Sequence, residues 1–345
     1  MSHTAGRTQG RFDHMASPRM PAGAMVRPHA PAVPLRVGTR GSPLALWQTR
    51  HFLGLITRFC PVLRDMEAFR EQPIRTSGDA AQDRSLAEIG GKGLFAKEIH
   101  DALAEGQVDF AVHSLKDLET SLPRGIVLAC VLTREDPRDA LILGPRCGAL
   151  DIDDPFAAIP EGAVIGTSSP RRMAQLLAVR PDLRTALLRG NVQTRLARVR
   201  AGTVDASLLA IAGLIRMGMT EEADAVLDPG LILPAVGQGI IGITVRESDE
   251  ELCALLGAIE DAEARIVATA ERSFQATLDG SCRTPLGGYA RLLPDGMLRL
   301  TGVVARGDGS FVLRREITGA AGDADRLGRA LGAEMRADSP ADVFA

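Results

Sequence analysis

Apolar runs of strand length alternate with stretches of helical spacing along most of this chain of 345 residues. Leu35–Gly38 reads as a short strand. Ser42 then stands as an N-cap with Pro43 at the first helical position, which predicts a helix from Leu44 to about Phe59. A second strand falls between Met66 and Arg75, followed by a polar, glycine-containing loop from Thr76 to Gly93. Leu94, Phe95, Ile99 and Leu103 recur near helical spacing and predict a helix over Leu94–Glu105. Val108–Val112 and Ile126–Leu132 have the length of buried strands. Such alternation predicts an α/β unit with a mostly parallel sheet and helices on both faces.

The pattern then restarts. Ala163–Gly166 reads as a strand, followed by Thr167-Ser168-Ser169-Pro170 and a helix from about Arg171 to Val179. Val37-Gly38-Thr39-Arg40-Gly41-Ser42-Pro43 and Ile165-Gly166-Thr167-Ser168-Ser169-Pro170 share one order: strand, Gly-Thr, polar residues, Ser-Pro, helix. Two similar α/β domains are therefore expected, with Asp136–Pro145 as a crossover between them. Ala186–Leu188 reads as a further strand ending at Arg189-Gly190-Asn191, where Asn191 caps a helix carrying Arg195 and Arg198. Ala206–Ile211 and Leu214–Met219 are further apolar runs. A glycine-rich turn, Pro234–Gly239, leads to the strand Ile240–Val245, which is expected to return to the first domain.

From Asp249 the texture changes. Two helical segments reach about Leu278. Gly287–Leu293, Met297–Arg306 and Ser310–Ile317 then alternate like antiparallel strands, with Asp295-Gly296 and Asp308-Gly309 as hairpin turns and a last helix from Asp323. This predicts a small α+β third domain. The expected boundaries are 35–133 with 239–258 for domain 1, 134–238 for domain 2 and 259–345 for domain 3. Residues 1–34 hold several prolines, arginines and methionines but a single acid, Asp13, and no apolar core of a secretory signal. They read as a disordered extension, or as sequence upstream of a later start at Met15, Met20 or Met25.

Composition narrows the class. The hydrophobic fraction of 45% and charged fraction of 24% are those of a globular protein. A net charge of −3 and only 3% aromatic residues disfavour nucleic-acid binding. Five widely spaced cysteines without a CxxC pair indicate neither a metal site nor a disulfide framework, and point to a reducing cytoplasm. Of the 40 basic residues only three are lysines, Lys92, Lys97 and Lys116, all within 25 residues. Arginine and lysine differ where a compact point charge or a titratable amine is needed.

Candidate chemistry lies at strand-to-helix turns. A helix N-terminus offers unpaired N–H groups to anions. At Thr167–Arg172 three hydroxyls and the guanidiniums of Arg171 and Arg172 join it. Arg40 and Ser42 form a second such turn, and Arg189, Asn191 and Arg195 a third. Guanidinium forks match carboxylates, and open α/β sheets bind ligands at this edge, so the three turns favour a polyanionic ligand. Gly90-Gly91-Lys92-Gly93 lacks the spacing of a P-loop, yet its lysine suits closure over an anion. Asp117, at a strand end beside Lys116, is a candidate general acid/base, and His113 a structural hydrogen-bonding residue. Among the cysteines, Cys282 is the candidate for covalent attachment, with Gly280 for close approach and Arg283 to favour the thiolate. These residues leave open an enzyme or a non-catalytic anion-binding protein of the same two-domain class.

The stretches TRGSPLALWQ (Thr39–Gln48), IGGKGLFAKE (Ile89–Glu98), AVHSLKD (Ala111–Asp117), REDPRDA (Arg134–Ala140), GTSSPRR (Gly166–Arg172), LRGNVQTR (Leu188–Arg195), LPAVGQG (Leu233–Gly239) and GSCRTP (Gly280–Pro285) closely resemble, in order, those of the porphobilinogen deaminases, also called hydroxymethylbilane synthases. The likeness spans about residues 35 to 340. It implies two doubly wound α/β domains with mixed sheets, like those of periplasmic binding proteins, plus the small α+β domain carrying the cysteine. It implies a transferase that joins four porphobilinogen units head to tail into hydroxymethylbilane with release of ammonia, primed by a dipyrromethane cofactor on Cys282. Asp117 matches the catalytic aspartate. Cofactor binding falls on Lys116, Asp117, Thr167, Ser168, Ser169, Arg171 and Arg172, and on Arg189, Gly190 and Asn191. Substrate binding falls on Arg40, Ser42, Lys92, Arg189, Arg195 and Gln238. The resemblance implies no metal, nucleic acid or membrane partner, and a cytoplasmic monomer.

Overall fold

The computed structural model describes residue 1 and residues 33–80, 93–278 and 284–344. A first five-stranded sheet is built from β1 (Leu35–Arg40), β2 (Phe69–Ile74), β3 (Phe110–Ser114), β4 (Ile126–Val131) and β10 (Ile241–Arg246), in the order β2-β1-β3-β10-β4. β1 runs parallel to β2 and β3, whereas β10 runs antiparallel to both its neighbours. The second sheet repeats this plan with β5 (Asp139–Leu143), β6 (Val164–Gly166), β7 (Arg184–Ala186), β8 (Ala206–Ala210) and β9 (Ala225–Val226), in the order β7-β6-β8-β5-β9. Here β6 is parallel to β7 and β8, and β5 is antiparallel to β8 and β9. Each sheet is thus completed by an antiparallel strand that arrives through a crossover from the other half of the chain. The sheets are mixed rather than mostly parallel for that reason.

Burial on both faces explains the apolar runs. In β5, Leu141 enters one core cluster with Ile165, Leu176 and Leu208, while Ala140 and Ile142 enter another with Leu188, Leu196 and Leu209. In the first sheet Val37, Phe110, Val112, Ile243 and Val245 pack with Phe52 and Ile56 of helix α1 (Pro43–Phe59). The third sheet, β11 (Leu286–Leu292), β12 (Met297–Ala305) and β13 (Val312–Ala320), is antiparallel throughout. It closes on the helices Ala262–Thr277 and Ala324–Asp338 around Phe274, Leu298, Leu300, Leu331 and Met335.

Several expectations shift. Asp136–Pro145 is not a bare crossover, because Asp139–Leu143 forms β5. Its buried charge and flanking prolines disguise a central strand. The helix expected over Leu94–Glu105 spans Lys97–Ala104, after a turn at 94–96. β3 begins at Phe110 rather than Val108, because the Val108 N–H still bonds the helix-end carbonyl of Ala102. β7 spans Arg184–Ala186, earlier than expected, and Leu188 beyond it packs in the core.

Two crossovers, 132–138 and 234–240, run side by side. Glu135 N–H donates to the Gly239 carbonyl at 3.0 Å, and Arg134 Nε to the Gln238 carbonyl at 2.9 Å. Gly239 has φ +87°, and an added Cβ would overlap the Glu135 carbonyl. Glu271, fully buried, accepts from Arg134, from the Gly237 N–H and from the Ala290 N–H, so one carboxylate ties both crossovers to the third sheet. Among the described residues no helix is long and apolar enough to cross a membrane.

Candidate active site

The candidate residues sit at the carboxyl ends of β1, β3 and β6 and in the turn after β7. Ser42 caps α1, accepting from Ala45 N–H at 3.3 Å. This leaves Arg40, the last residue of β1, reaching across to Asp117 Oδ2 at 3.1 Å and to Asp79, with the Phe95 ring 4.2 Å from its guanidinium. Burial opposes the Arg40 charge, but Asp79 and Asp117 outweigh it and hold the guanidinium above its ordinary value. Asp117 ends a single 3-10 turn, Leu115–Asp117, and its side chain keeps 25% of its exposure. Lys116 keeps contact with solvent, and its Nζ donates to Gln238 Oε1 at 3.3 Å. Desolvation by nearby protein and then the Arg172 charge push it down to about 8, against the pull of Asp117 and Asp139.

His113 is structural, as expected. It is buried, its Nε2 meets Thr244 Oγ1 at 2.9 Å, and its ring lies 5.3 Å from that of His100. Burial pushes both imidazoles down, His100 to about 4.

The second sheet presents the expected turn. Ser169 caps the helix Pro170–Val179, accepting from Arg172 N–H at 3.4 Å, and Thr167 Oγ1 accepts from Ser169 N–H at 3.1 Å, with Ser168 half-buried between them. Arg171 and Arg172 are not surface residues. They are 5% and 6% exposed, and both close on the fully buried Asp139, at 2.8 and 2.7 Å. Burial alone would raise the Asp139 pKa; the two guanidiniums outweigh it and hold the carboxyl well below its usual range. Among the described residues, Arg171 Nε and Arg172 Nε are buried donors with no protein acceptor.

Asn191 caps the helix Val192–Arg200 through Thr194 N–H at 2.8 Å. Gly190, at φ +112°, turns its carbonyl to Arg195 Nε at 2.9 Å. Arg195 is pushed down to about 10, first by burial and then by the charges of Arg172 and Arg189. Arg189 reaches from this half to the Gly78 carbonyl at 2.7 Å. Gln238 is buried, and its amide is engaged with Lys116, Asp139 and Pro137 rather than turned to the cleft. Lys92 and Cys282 lie outside the described residues. Among the described residues no cluster of side chains could hold a metal ion.

Arg40 of the first sheet thus pairs with the partly exposed Asp117, and the charge of Arg195 from the second half of the chain is felt at the same carboxylate. Guanidiniums so placed can receive a ligand that carries several carboxylates. Sequence reasoning attached no role to Asp79, Phe95 or Asp139. Phe95 and Asp139 stand within the quoted motifs and Asp79 does not, and Arg40 and Gln238, which meet Asp79 and Asp139, lie far along the chain.

The family model for the porphobilinogen deaminase dipyromethane cofactor binding domain matches residues 35–254, and that for the porphobilinogen deaminase C-terminal domain matches residues 266–337. The porphobilinogen deaminase of Paracoccus denitrificans is 47% identical over 317 residues, covering 91% of this chain and 97% of the relative. That of Synechococcus elongatus is 44% identical over 315 residues, covering 91% and 96%. Among solved structures, a periplasmic sulfonate-binding protein from Methylobacillus flagellatus aligns at TM-score 0.37 and 13% identity, over 69% of this chain and 66% of that one.

Proposed function

The chain belongs to the porphobilinogen deaminase family, and on that premise we propose how its own residues carry the family's reaction. It is a transferase of tetrapyrrole biosynthesis, joining four porphobilinogen molecules head to tail into hydroxymethylbilane with loss of ammonia at each step, and it uses a dipyrromethane cofactor. The donor set suits that cofactor. Its carboxylates need cationic forks, and among the described residues the buried Nε–H groups of Arg171 and Arg172 have no protein acceptor. When bound, the cofactor supplies the pyrrole carbon from which the chain grows. We place its attachment at Cys282 and its carboxylates on Lys116, Arg171, Arg172 and Arg189, beside the hydroxyls of Thr167 and Ser169.

Asp117 carries the proton traffic. Porphobilinogen loses ammonia to leave a cationic azafulvene, and a carboxylate fixed in place stabilises that cation more than mobile water does. The same group takes the proton that an attacking pyrrole α-carbon releases once it has bonded to the azafulvene methylene. Arg40, 3.1 Å away, holds Asp117 in orientation, and with Ser42 and Arg195 receives the acetate and propionate arms of the substrate. The observation that carries this reading is the pairing of Arg40 with Asp117, with the charge of Arg195 from the second half of the chain felt at the same carboxylate.

The strand membership of the three sheets supports domain 1 as 35–133 with 239–258, domain 2 as 134–238 and domain 3 as 259–345. The widely spaced cysteines and the family likeness support a cytoplasmic monomer.

Incubation with porphobilinogen tests the assignment. Four ammonia molecules are expected per hydroxymethylbilane. Asp117→Asn is expected to lower turnover by about 10²–10⁴-fold with an unchanged melting temperature, the range for a lost general acid/base. Near-normal turnover in that variant removes Asp117 from the role.

A further inference from the structure

Asp139 opens β5 directly after the first crossover, and no step above uses it. A fully buried carboxylate is expensive unless donors surround it. Its Oδ1 accepts from Arg172 Nη2 at 2.7 Å and from Gln238 Nε2 at 2.8 Å, and its Oδ2 lies 2.8 Å from Arg171 Nη2. Gln238 is itself 1% exposed. Its Nε2 also donates to the Pro137 carbonyl at 2.7 Å, and its Oε1 accepts from Lys116 at 3.3 Å. An unbroken line of polar contacts thus runs from the helix N-terminus at the edge of the second sheet to the neighbour of Asp117 at the edge of the first.

We propose that Asp139 is a positioning residue for the reaction: a buried anion that, directly and through Gln238, fixes Arg171, Arg172 and Lys116 where they hold ligand carboxylates. This assignment rests on the reading of those three cations as carboxylate holders. Charge balance is the first argument. Two adjacent buried guanidiniums need a counter-charge to remain ionised and packed. One carboxylate between two forks supplies it and still leaves an excess positive charge for an incoming anion. Geometry is the second argument. Asp139 accepts a hydrogen bond from Arg172 Nη2 and pairs with Arg171 Nη2 at 2.8 Å, and among the described residues neither Nε–H has a protein acceptor. Reach is the third. Arg171 and Arg172 drive the proton from Lys116, while Asp117 and Asp139 retain it. With Asp139 neutralised, Lys116 loses its charge at a lower pH.

The test compares full-length wild type with Asp139→Asn. Two quantities are read: the fraction of chains carrying a dipyrromethane adduct by intact mass, and kcat and KM for porphobilinogen as functions of pH in the loaded fraction. Asp139→Asn is expected to load several-fold less. Its KM is expected to rise about tenfold, equivalent to about 1.4 kcal/mol, with kcat at its optimum changed far less. The alkaline limb of kcat/KM is expected to move to lower pH. Wild-type loading, KM and alkaline limb in the variant would overturn the inference. An unmodified wild type would instead defeat the reading of the site beneath it. If Asp139→Asn does not fold, Asp139→Asn/Arg171→Met, which removes one charge of each sign, is expected to fold; a double variant that stays unfolded contradicts the charge-balance role.

Discussion

The position of Asp117 is set by buried residues just upstream of it in the chain. Four residues before it, His113 is packed between Thr244 and the ring of His100, and both imidazoles are buried. Their folded values, about 4 for His100 and lower than usual for His113, lie below the value of about 6.5 expected in the unfolded chain. Between these limits the unfolded chain binds more protons. Stability is therefore complete above about 6.5 and is lost as pH falls towards 4. His100 Nε2 also has no partner among the described residues. His100→Leu is expected to flatten the fall of melting temperature over that window, by an amount on the order of 2 kcal/mol at pH 4. An unchanged slope would show that His100 is not responsible. What was legible at this scale was local. Ser42, Ser169 and Asn191 cap helices within three residues of themselves. Asp139 was not legible, because its partners Arg172 and Gln238 stand 33 and 99 residues away.

Among the elements, apolar runs and turn signals placed most strands and helices, including the return of Ile241–Arg246 to the first sheet and the hairpins of the third. β5 was hidden, because a strand that begins with a charged residue between prolines reads as a loop until Arg171 and Arg172 are seen to neutralise it. β9, only two residues long, carries no periodic signal at all. The crossovers between the sheets are joined by a backbone hydrogen bond from Glu135 N–H to the Gly239 carbonyl at 3.0 Å. Gly239→Ala forces a side chain into a left-handed conformation and against the Glu135 carbonyl. A loss of about 2–3 kcal/mol in denaturant unfolding is expected. A variant as stable as wild type would mean that the two crossovers separate readily.

On the scale of the whole molecule, a chain of net charge −3 concentrates cations where its two sheets meet. Lys116, Arg40, Arg189 and Arg195 come from separate elements, and Arg171 and Arg172 stand on a shared anion beneath them. The resemblance in sequence pointed to this cleft through its motifs, and folding explains why the motifs are spread over the chain. Each sheet contributes its own carboxyl edge, and the crossovers bring the edges together. The central claim is that this cleft builds hydroxymethylbilane on a dipyrromethane fixed to Cys282. Intact-mass measurement under denaturing conditions tests it most directly. The expected result is a polypeptide heavier by one covalent dipyrromethane, with the adduct lost in Cys282→Ser. A chain that remains unmodified after incubation with porphobilinogen would contradict it.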